Sequence, residues 1–192
     1  MKRDIILAGV GGQGILSIAA IIGRAALNSG HHLKQSEVHG MSQRGGDVHS
    51  NLRISDREIY SDIIAYGTAD LIISIEPMEA LRYLPWLSED GWLISNSVPF
   101  INIKNYPDLE SIHTEIASVK HHVLLDAGSM AKDLGAPRSA NMILLGAASP
   151  YLALDYGKIQ DAIRANFKAK GEDVINANLV ALESGRSFAL AH

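Results

Sequence analysis

Two glycine-rich stretches carry most of the chemistry-bearing side chains near the start of the chain. The first is AGVGGQG, Ala8 to Gly14. The second is SEVHGMSQRGG, Ser36 to Gly46, which holds an acid, a histidine, two serines, an amide, an arginine and three glycines. In the first, Gly9, Gly11 and Gly14 fit the spacing G-x-G-x-x-G, Gly12 adds a fourth glycine, and Gln13 sits at the entry to the next element. Such a turn brings backbone close to a phosphate. The N–H groups of the helix that follows then meet the anion with a partial positive charge. Glu37 lies at the end of the next apolar segment, where a dinucleotide fold places the acid that binds ribose.

In the second stretch, Arg44 stands between Gln43 and the pair Gly45–Gly46. A guanidinium with little bulk around it suits a carboxylate or phosphate. Ser42 and Gln43 can hydrogen-bond beside it, and Gly45–Gly46 can act as a hinge. Two further readings stay open: Arg44 pairs with Glu37 or Asp47 and locks its own loop, and the first glycine turn serves the fold without any ligand.

Other chemistries find less support. The eight histidines include the adjacent pairs His31–His32 and His121–His122. Each pair sits at the start of an expected strand, where neighbouring side chains point to opposite faces and do not converge on one ion. His39 and His49 flank the second stretch without metal-type spacing, so no metal site is expected. There is no G-x-S-x-G elbow and no G-x-x-x-x-G-K-[ST] loop, which removes serine-hydrolase and P-loop readings.

The elements that must position these residues follow from periodicity. DIILAGV (Asp4 to Val10) reads as a buried strand, and Gly12 to Asn28 as a helix closed by Asn28–Gly30. HLKQSEV reads as a second strand, so the start of the chain is expected to be a βαβ unit. DVHSNLRI alternates Val48, Ser50, Leu52 and Ile54 against His49, Asn51 and Arg53, as in a half-exposed strand, with EIYSDII returning beside it as a hairpin. Strands are expected at ADLIISIE, GWLISNS and HHVLLDA, and helices at PMEALRYLPWL and DLESIHTEIASV. The segment from Pro99 to Pro107 reads as irregular. Beyond Ala127 the pattern is helical, with starts at Asp155 and Glu172 and an end at Gly171. The expected architecture is a Rossmann-like α/β three-layer sandwich with a mainly parallel sheet, a β-hairpin insertion and C-terminal helices, in one domain spanning residues 1–192.

Composition sets outer limits. The 192 residues are 47% hydrophobic, enough for a sizeable core, and the net charge of −4 with no basic run gives no reason to bind nucleic acid. No stretch of ~18 uninterrupted apolar residues is present, so no membrane span is expected, and the chain reads as cytoplasmic. There are no cysteines. Disulfides, thiolate nucleophiles and iron–sulfur clusters held by this chain are thereby excluded.

GVGGQGI followed by SEVHGMSQRGGDVHSNLRI resembles the gamma-type domain of 2-oxoacid:ferredoxin oxidoreductases, within which it looks most like the indolepyruvate-type beta subunits. ADLIISIEPMEALRYLPWL, GWLISNS and SANMILLGA extend the similarity from about residue 4 to residue 185. The YSDIIAYG segment departs from the small or proline-containing stretch expected there. The resemblance implies oxidative decarboxylation of a 2-oxoacid with coenzyme A to an acyl-CoA, CO2 and reduced ferredoxin. Thiamine diphosphate and iron–sulfur clusters do the carbanion and electron chemistry in such enzymes. This chain lacks cysteine and a G-D-G…N-N thiamine signature, so both groups are expected in a larger partner subunit, with ferredoxin met through the complex. The resemblance implies a small subunit inactive alone, which pairs with itself when isolated. Its second stretch is expected to reach a shared active site, with Arg44, Gln43, Ser42 and Glu37 toward substrate or coenzyme A. Two other functions compete: a stand-alone NAD- or FAD-binding enzyme on the Gly9–Gly14 turn, and a cofactor-free regulatory or scaffold protein.

Overall fold

The computed structural model of the chain describes residues 1–40 and 46–192. Six strands form one sheet: β1 (Lys2–Val10), β2 (His32–His39), β3 (Asp47–Ser55), β4 (Ala69–Ser74), β5 (Leu87–Asn96) and β6 (His122–Leu125), in the order β2-β3-β1-β4-β5-β6. The ladders β1–β4, β4–β5 and β5–β6 are parallel, whereas β3 runs antiparallel to both of its neighbours. Helices α1 (Ile15–Asn28), α2 (Pro77–Tyr83), α3 (Leu109–Ser118), α4 (Ala127–Asp133), α5 (Ala140–Ala148), α6 (Tyr156–Phe167) and α7 (Glu172–Ala191) flank it. This is the expected mainly parallel α/β three-layer sandwich. Among the described residues, no helix is long and apolar enough to cross a membrane.

Strand alternation divides the core in two. Ile5, Leu7, Leu52, Leu71, Ile73 and Ile94 face α1 and α5, while Ile6, Ala8, Ile72 and Leu93 face α2 and α3. Both faces of the central strands are covered, which explains their near-continuous apolar runs. Each fully buried Ile or Leu contributes roughly 1.5–3 kcal/mol of transfer free energy. All of α5 from Met142 to Ala148 is buried, and α7 packs along it. The contact is very close: a Cβ on Gly146 would lie 2.0 Å from the Leu182 carbonyl oxygen, and one on Gly185 would lie 1.9 Å from that of Ile143. Only glycine at both positions lets the two backbones touch.

Two expectations are corrected. The first concerns the βαβ unit. β1, α1 and β2 all form, but β2 is not β1's neighbour, because β3 lies between them. An ion pair spans the two adjacent strands, with its carboxylate buried. Asp4 and Arg53 are direct partners in the β1–β3 ladder, and Arg53 donates to both Asp4 carboxylate oxygens at 2.8 and 3.1 Å. The second concerns EIYSDII, which is no strand. Both edges of β3 are already occupied, so this segment lies across the sheet instead. There Asn51 Oδ1 accepts the Ile64 N–H, and Arg53 donates to the carbonyls of Ser61 and Ile63. On the polar face of β3, expected to be half exposed, Asn51 is buried and His49 and Arg53 stay partly exposed. The hairpin partner of β3 is β2.

Smaller shifts have local causes. α2 stops at Tyr83 and passes into a short 3-10 turn, Leu84–Trp86, at Pro85. β5 begins at Leu87, before GWLISNS, across a register shift opposite Ala69–Leu71. α1 starts at Ile15, and Gly30 takes the left-handed conformation (φ 77°) after its end. Asp155 caps α6 by accepting the Lys158 N–H, as its position suggests.

Candidate functional site

The carboxyl ends of β1, β4 and β5 open onto one crevice, the usual location for ligands in such sheets. The glycine turn forms one wall. Gln13 does not point into solvent: its Oε1 accepts the Val10 N–H at 2.8 Å, so the side chain braces the turn from within. Gly14 caps α1 in the left-handed region (φ 89°), and a Cβ there would meet Asn141 Nδ2 at 2.7 Å. Asn141, on α5, donates to the Gly14 carbonyl at 3.4 Å and ties the turn to that helix. No side chain caps the α1 N-terminus, and its first turn holds no acid. Its free N–H groups keep a partial positive charge.

The opposite wall comes from the ends of β4 and β5. Asn96 holds two segments at once: Oδ1 accepts the Ala127 N–H at 3.1 Å, and Nδ2 donates to the Val98 carbonyl at 2.9 Å. Asp126 then caps α4 through the Ser129 N–H at 2.8 Å. Glu76, buried at the start of α2, accepts the Glu79 N–H, the Phe100 N–H and the Tyr106 hydroxyl, and so fixes the irregular 97–107 segment beside the crevice. The crevice has a volume of about 380 Å³, with Gly12, Gly14, Asn96, Val98, Arg138 and Asn141 in its lining. A larger cleft of about 520 Å³ adjoins it through Pro137, Arg138 and Asn141, and continues past Ser139 to Lys170 and Asn178. Arg138 is exposed. The arrangement can hold an anion, with backbone amides and the α1 terminus on one side and a guanidinium on the other.

A polar cluster supports the turn from the α2 side. The Tyr83 hydroxyl lies 3.1 Å from Asp47 Oδ2 and 2.7 Å from His49 Nδ1. A carboxylate only accepts, so Tyr83 donates to Asp47 and receives the His49 Nδ1 proton. Burial lowers the pKa of His49 against the opposing charge of Asp47. Burial also raises Tyr83, helped by Asp47. Glu79 is pushed above the usual carboxylate range by burial; its ion pair with Arg82 at 2.7 Å opposes the shift and Asp47 adds to it.

The residues singled out by sequence fall into three groups. Gly9, Gly11, Gly12, Gln13 and Gly14 are together in the turn. Gly46 joins them, since its carbonyl accepts the Gly11 N–H at 2.9 Å. The two glycine stretches therefore touch. Glu37 is on the edge strand β2, two strands from β1, with its carboxylate against the His39 imidazole. Ser42, Gln43, Arg44 and Gly45 lie outside the described residues. Glu37 and Asp47, the two acids weighed as partners for Arg44, have the partners just named. Among the described residues no group of three or more His, Asp or Glu is placed to hold a metal ion. Arg138, Asn141, Asn96 and Tyr83 were not anticipated. Arg138 had a signal, since a cation just before an apolar helix start stands at the positive end of that helix for some reason other than local stability.

Comparison with known proteins shows the family and the fold. The pyruvate ferredoxin/flavodoxin oxidoreductase family profile matches residues 4–188. The indolepyruvate oxidoreductase subunit IorB of Archaeoglobus fulgidus is 34% identical over 200 residues, covering 100% of this chain and 97% of that protein. Among solved structures, the 2-oxoglutarate:ferredoxin oxidoreductase of Magnetococcus marinus, with 2-oxoglutarate, coenzyme A and succinyl-CoA bound, superposes with a TM-score of 0.81 at 23% identity, over 100% of this chain and 31% of that one. The keto/oxoacid ferredoxin oxidoreductase gamma subunit of Geobacter sulfurreducens does so with a TM-score of 0.74 at 24% identity, over 99% of both chains. With the sequence matched nearly end to end and the fold shared, this chain belongs to the pyruvate ferredoxin/flavodoxin oxidoreductase family.

Proposed function

We propose that the chain is the small subunit of a 2-oxoacid:ferredoxin oxidoreductase of the indolepyruvate type. The observation that carries this is the full-length match to an indolepyruvate oxidoreductase subunit, with the two glycine stretches joined at the carboxyl edge of the sheet. The reaction converts a 2-oxoacid anion, coenzyme A thiol and two oxidised ferredoxins into acyl-CoA, CO2, two reduced ferredoxins and one proton.

The chain has no cysteine to hold a cluster, so electron transfer belongs to a larger partner. Thiamine diphosphate, which would supply the electron sink for decarboxylation, would also be held by that partner, since this chain has no G-D-G…N-N signature. The contribution of this chain is binding and positioning. The Gly12 and Gly14 amides, the α1 terminus and Arg138 receive phosphates of coenzyme A. Arg44, with Ser42, Gln43 and Glu37 nearby in sequence, serves the 2-oxoacid or coenzyme A in the shared active site. Residues 1–192 act as one domain in the cytoplasm, and in isolation the partner-facing surface pairs with a second copy. A stand-alone dinucleotide enzyme is disfavoured by the place of Glu37: β3 holds it about 10 Å from β1, two strand spacings away.

The test is reconstitution. Co-expressed with the thiamine-dependent large subunit of the same organism, the chain is expected to co-purify and to support coenzyme A-dependent reduction of ferredoxin by indolepyruvate. Equal activity of the large subunit alone, or no oxidation of any 2-oxoacid by the pair, overturns the reading. Calorimetry with NAD and FAD on the isolated chain is expected to show no tight binding.

A further inference from the structure

Tyr83 is far from the glycine turn in sequence and has no place in the reaction as described, yet the structure connects it to the crevice. α2 is anchored at its start by Glu76 and presents Tyr83 from its last turn, almost fully buried. The hydroxyl takes the Asp47 carboxylate, on the first residue of β3. Asp47 closes the β2–β3 connection, because its carbonyl accepts the Gly40 N–H at 2.9 Å and its Cα pairs with Val10 in the ladder. Gly46, directly before it, accepts the Gly11 N–H. The chain of contacts thus runs from α2 through Tyr83, Asp47 and Gly46 to Gly11, the start of the crevice wall.

We propose that Tyr83 is a positioning residue: its hydroxyl latches the root of the β2–β3 connection to α2 and so fixes the glycine turn in the shape that receives coenzyme A. The latch has to be a donor. Asp47 faces the buried Glu79 carboxyl as well as Tyr83, and a phenol gives that acid pair a proton it can accept. Arg82 is already taken by Glu79, and His49 donates to the phenol from the other side. Phenylalanine would fill the same space, and the aromatic contacts with His49 and Trp86 would remain, but Asp47 would lose the phenol's hydrogen bond.

The latch is testable apart from the function; only its kinetic consequence rests on the reading above. In the full isolated chain, amide exchange by NMR is expected to show the Gly11 N–H exchanging about tenfold faster in Tyr83→Phe, the shift that loss of one ordinary net hydrogen bond represents. The Ile72 and Ile73 amides in β4 are expected to be unchanged. Asp47→Asn keeps an acceptor for the phenol and should retain Gly11 protection, whereas Asp47→Ala should lose it. In the reconstituted complex, Tyr83→Phe is expected to raise the KM for coenzyme A about tenfold without moving the KM for the 2-oxoacid. Unchanged Gly11 exchange in Tyr83→Phe overturns the latch, as does an Asp47→Asn variant that exchanges as fast as Asp47→Ala. Faster exchange with an unchanged KM for coenzyme A overturns the link to the crevice. A wild-type complex without coenzyme A-dependent activity refutes the functional reading instead, and the exchange result still decides the latch.

Discussion

Asp4 and Arg53 face each other across β1 and β3, and Asp4 is only 1% exposed. Arg53 is partly exposed, and the buried carboxylate depends on it for compensation. Removing one partner of a buried ion pair costs about 3–5 kcal/mol, because the survivor is left uncompensated. Arg53→Ala is therefore expected to lower the unfolding free energy by up to about that amount, reduced because Arg53 is partly exposed and Lys2 also reaches Asp4 at 2.7 Å. Replacing both residues by apolar ones of similar size should cost much less. Equilibrium unfolding of the two variants checks the difference.

The helix pair α5–α7 gives a steric prediction. Gly185→Ala places a methyl 1.9 Å from the Ile143 carbonyl oxygen, so the helices have to separate. Overpacking of a well-filled core costs about 1–3 kcal/mol, and backbone is a less forgiving neighbour than side chain. The melting temperature should fall by several degrees in Gly185→Ala and in Gly146→Ala. The double variant should fall by less than the sum, since one separation relieves both contacts.

Arg138 is exposed and structurally dispensable, which makes it a clean probe of the crevice. A hydrogen bond to a charged group is worth about 1.5–3 kcal/mol, or about 10- to 100-fold in binding. Arg138→Gln in the reconstituted enzyme is expected to raise the KM for coenzyme A within that range and leave the melting temperature unchanged. An unaltered KM removes the guanidinium from the ligand site.

His49 and Glu79 make stability depend on pH in opposite senses. Burial holds the His49 pKa below 6.5, so the unfolded chain takes up this proton first. Stability is lost as the pH falls below 6.5 toward the folded value. Glu79 is raised above 4.5, so the folded chain binds its proton more readily, and stability is lost as the pH rises from 4.5 through the folded value. His49→Asn, which preserves a donor for Tyr83, should therefore flatten the loss of stability just below pH 6.5. Glu79→Gln should flatten the loss above pH 4.5. Urea midpoints measured across this range in both variants check the signs.

Most of the layer architecture was legible because the strands are buried on both faces and the helices are punctuated. Asp108, Asp155 and Gly30 mark ends in the sequence and mark them in the structure. The neighbour relations were not legible. A strand that runs beside β1 and one that is displaced from it have the same local pattern. The contacts that distinguish them are long-range, such as Asp4 with Arg53, and no periodicity reveals those. The same limit applied to the crevice. The glycine turn was visible as a motif, but Asn141 and Arg138 meet it only because α5 packs back across the sheet. Tyr83 lies in PMEALRYLPWL, which reads only as a helix, and the partner of its hydroxyl, Asp47, is 36 residues earlier.

The β2–β3 ladder closes at Gly40 and Asp47, on the same edge as the crevice, and its register is set by rungs that lie before and after the connection. Residues can be added or removed between those two points without shifting any side chain of the sheet to the wrong face. The cost is that of closing a loop, about 0.6 kcal/mol for each doubling of its length. The connection is thus an exchangeable cassette on a fixed frame. A lineage can change length and sequence there, and the sheet with its core need not be rebuilt.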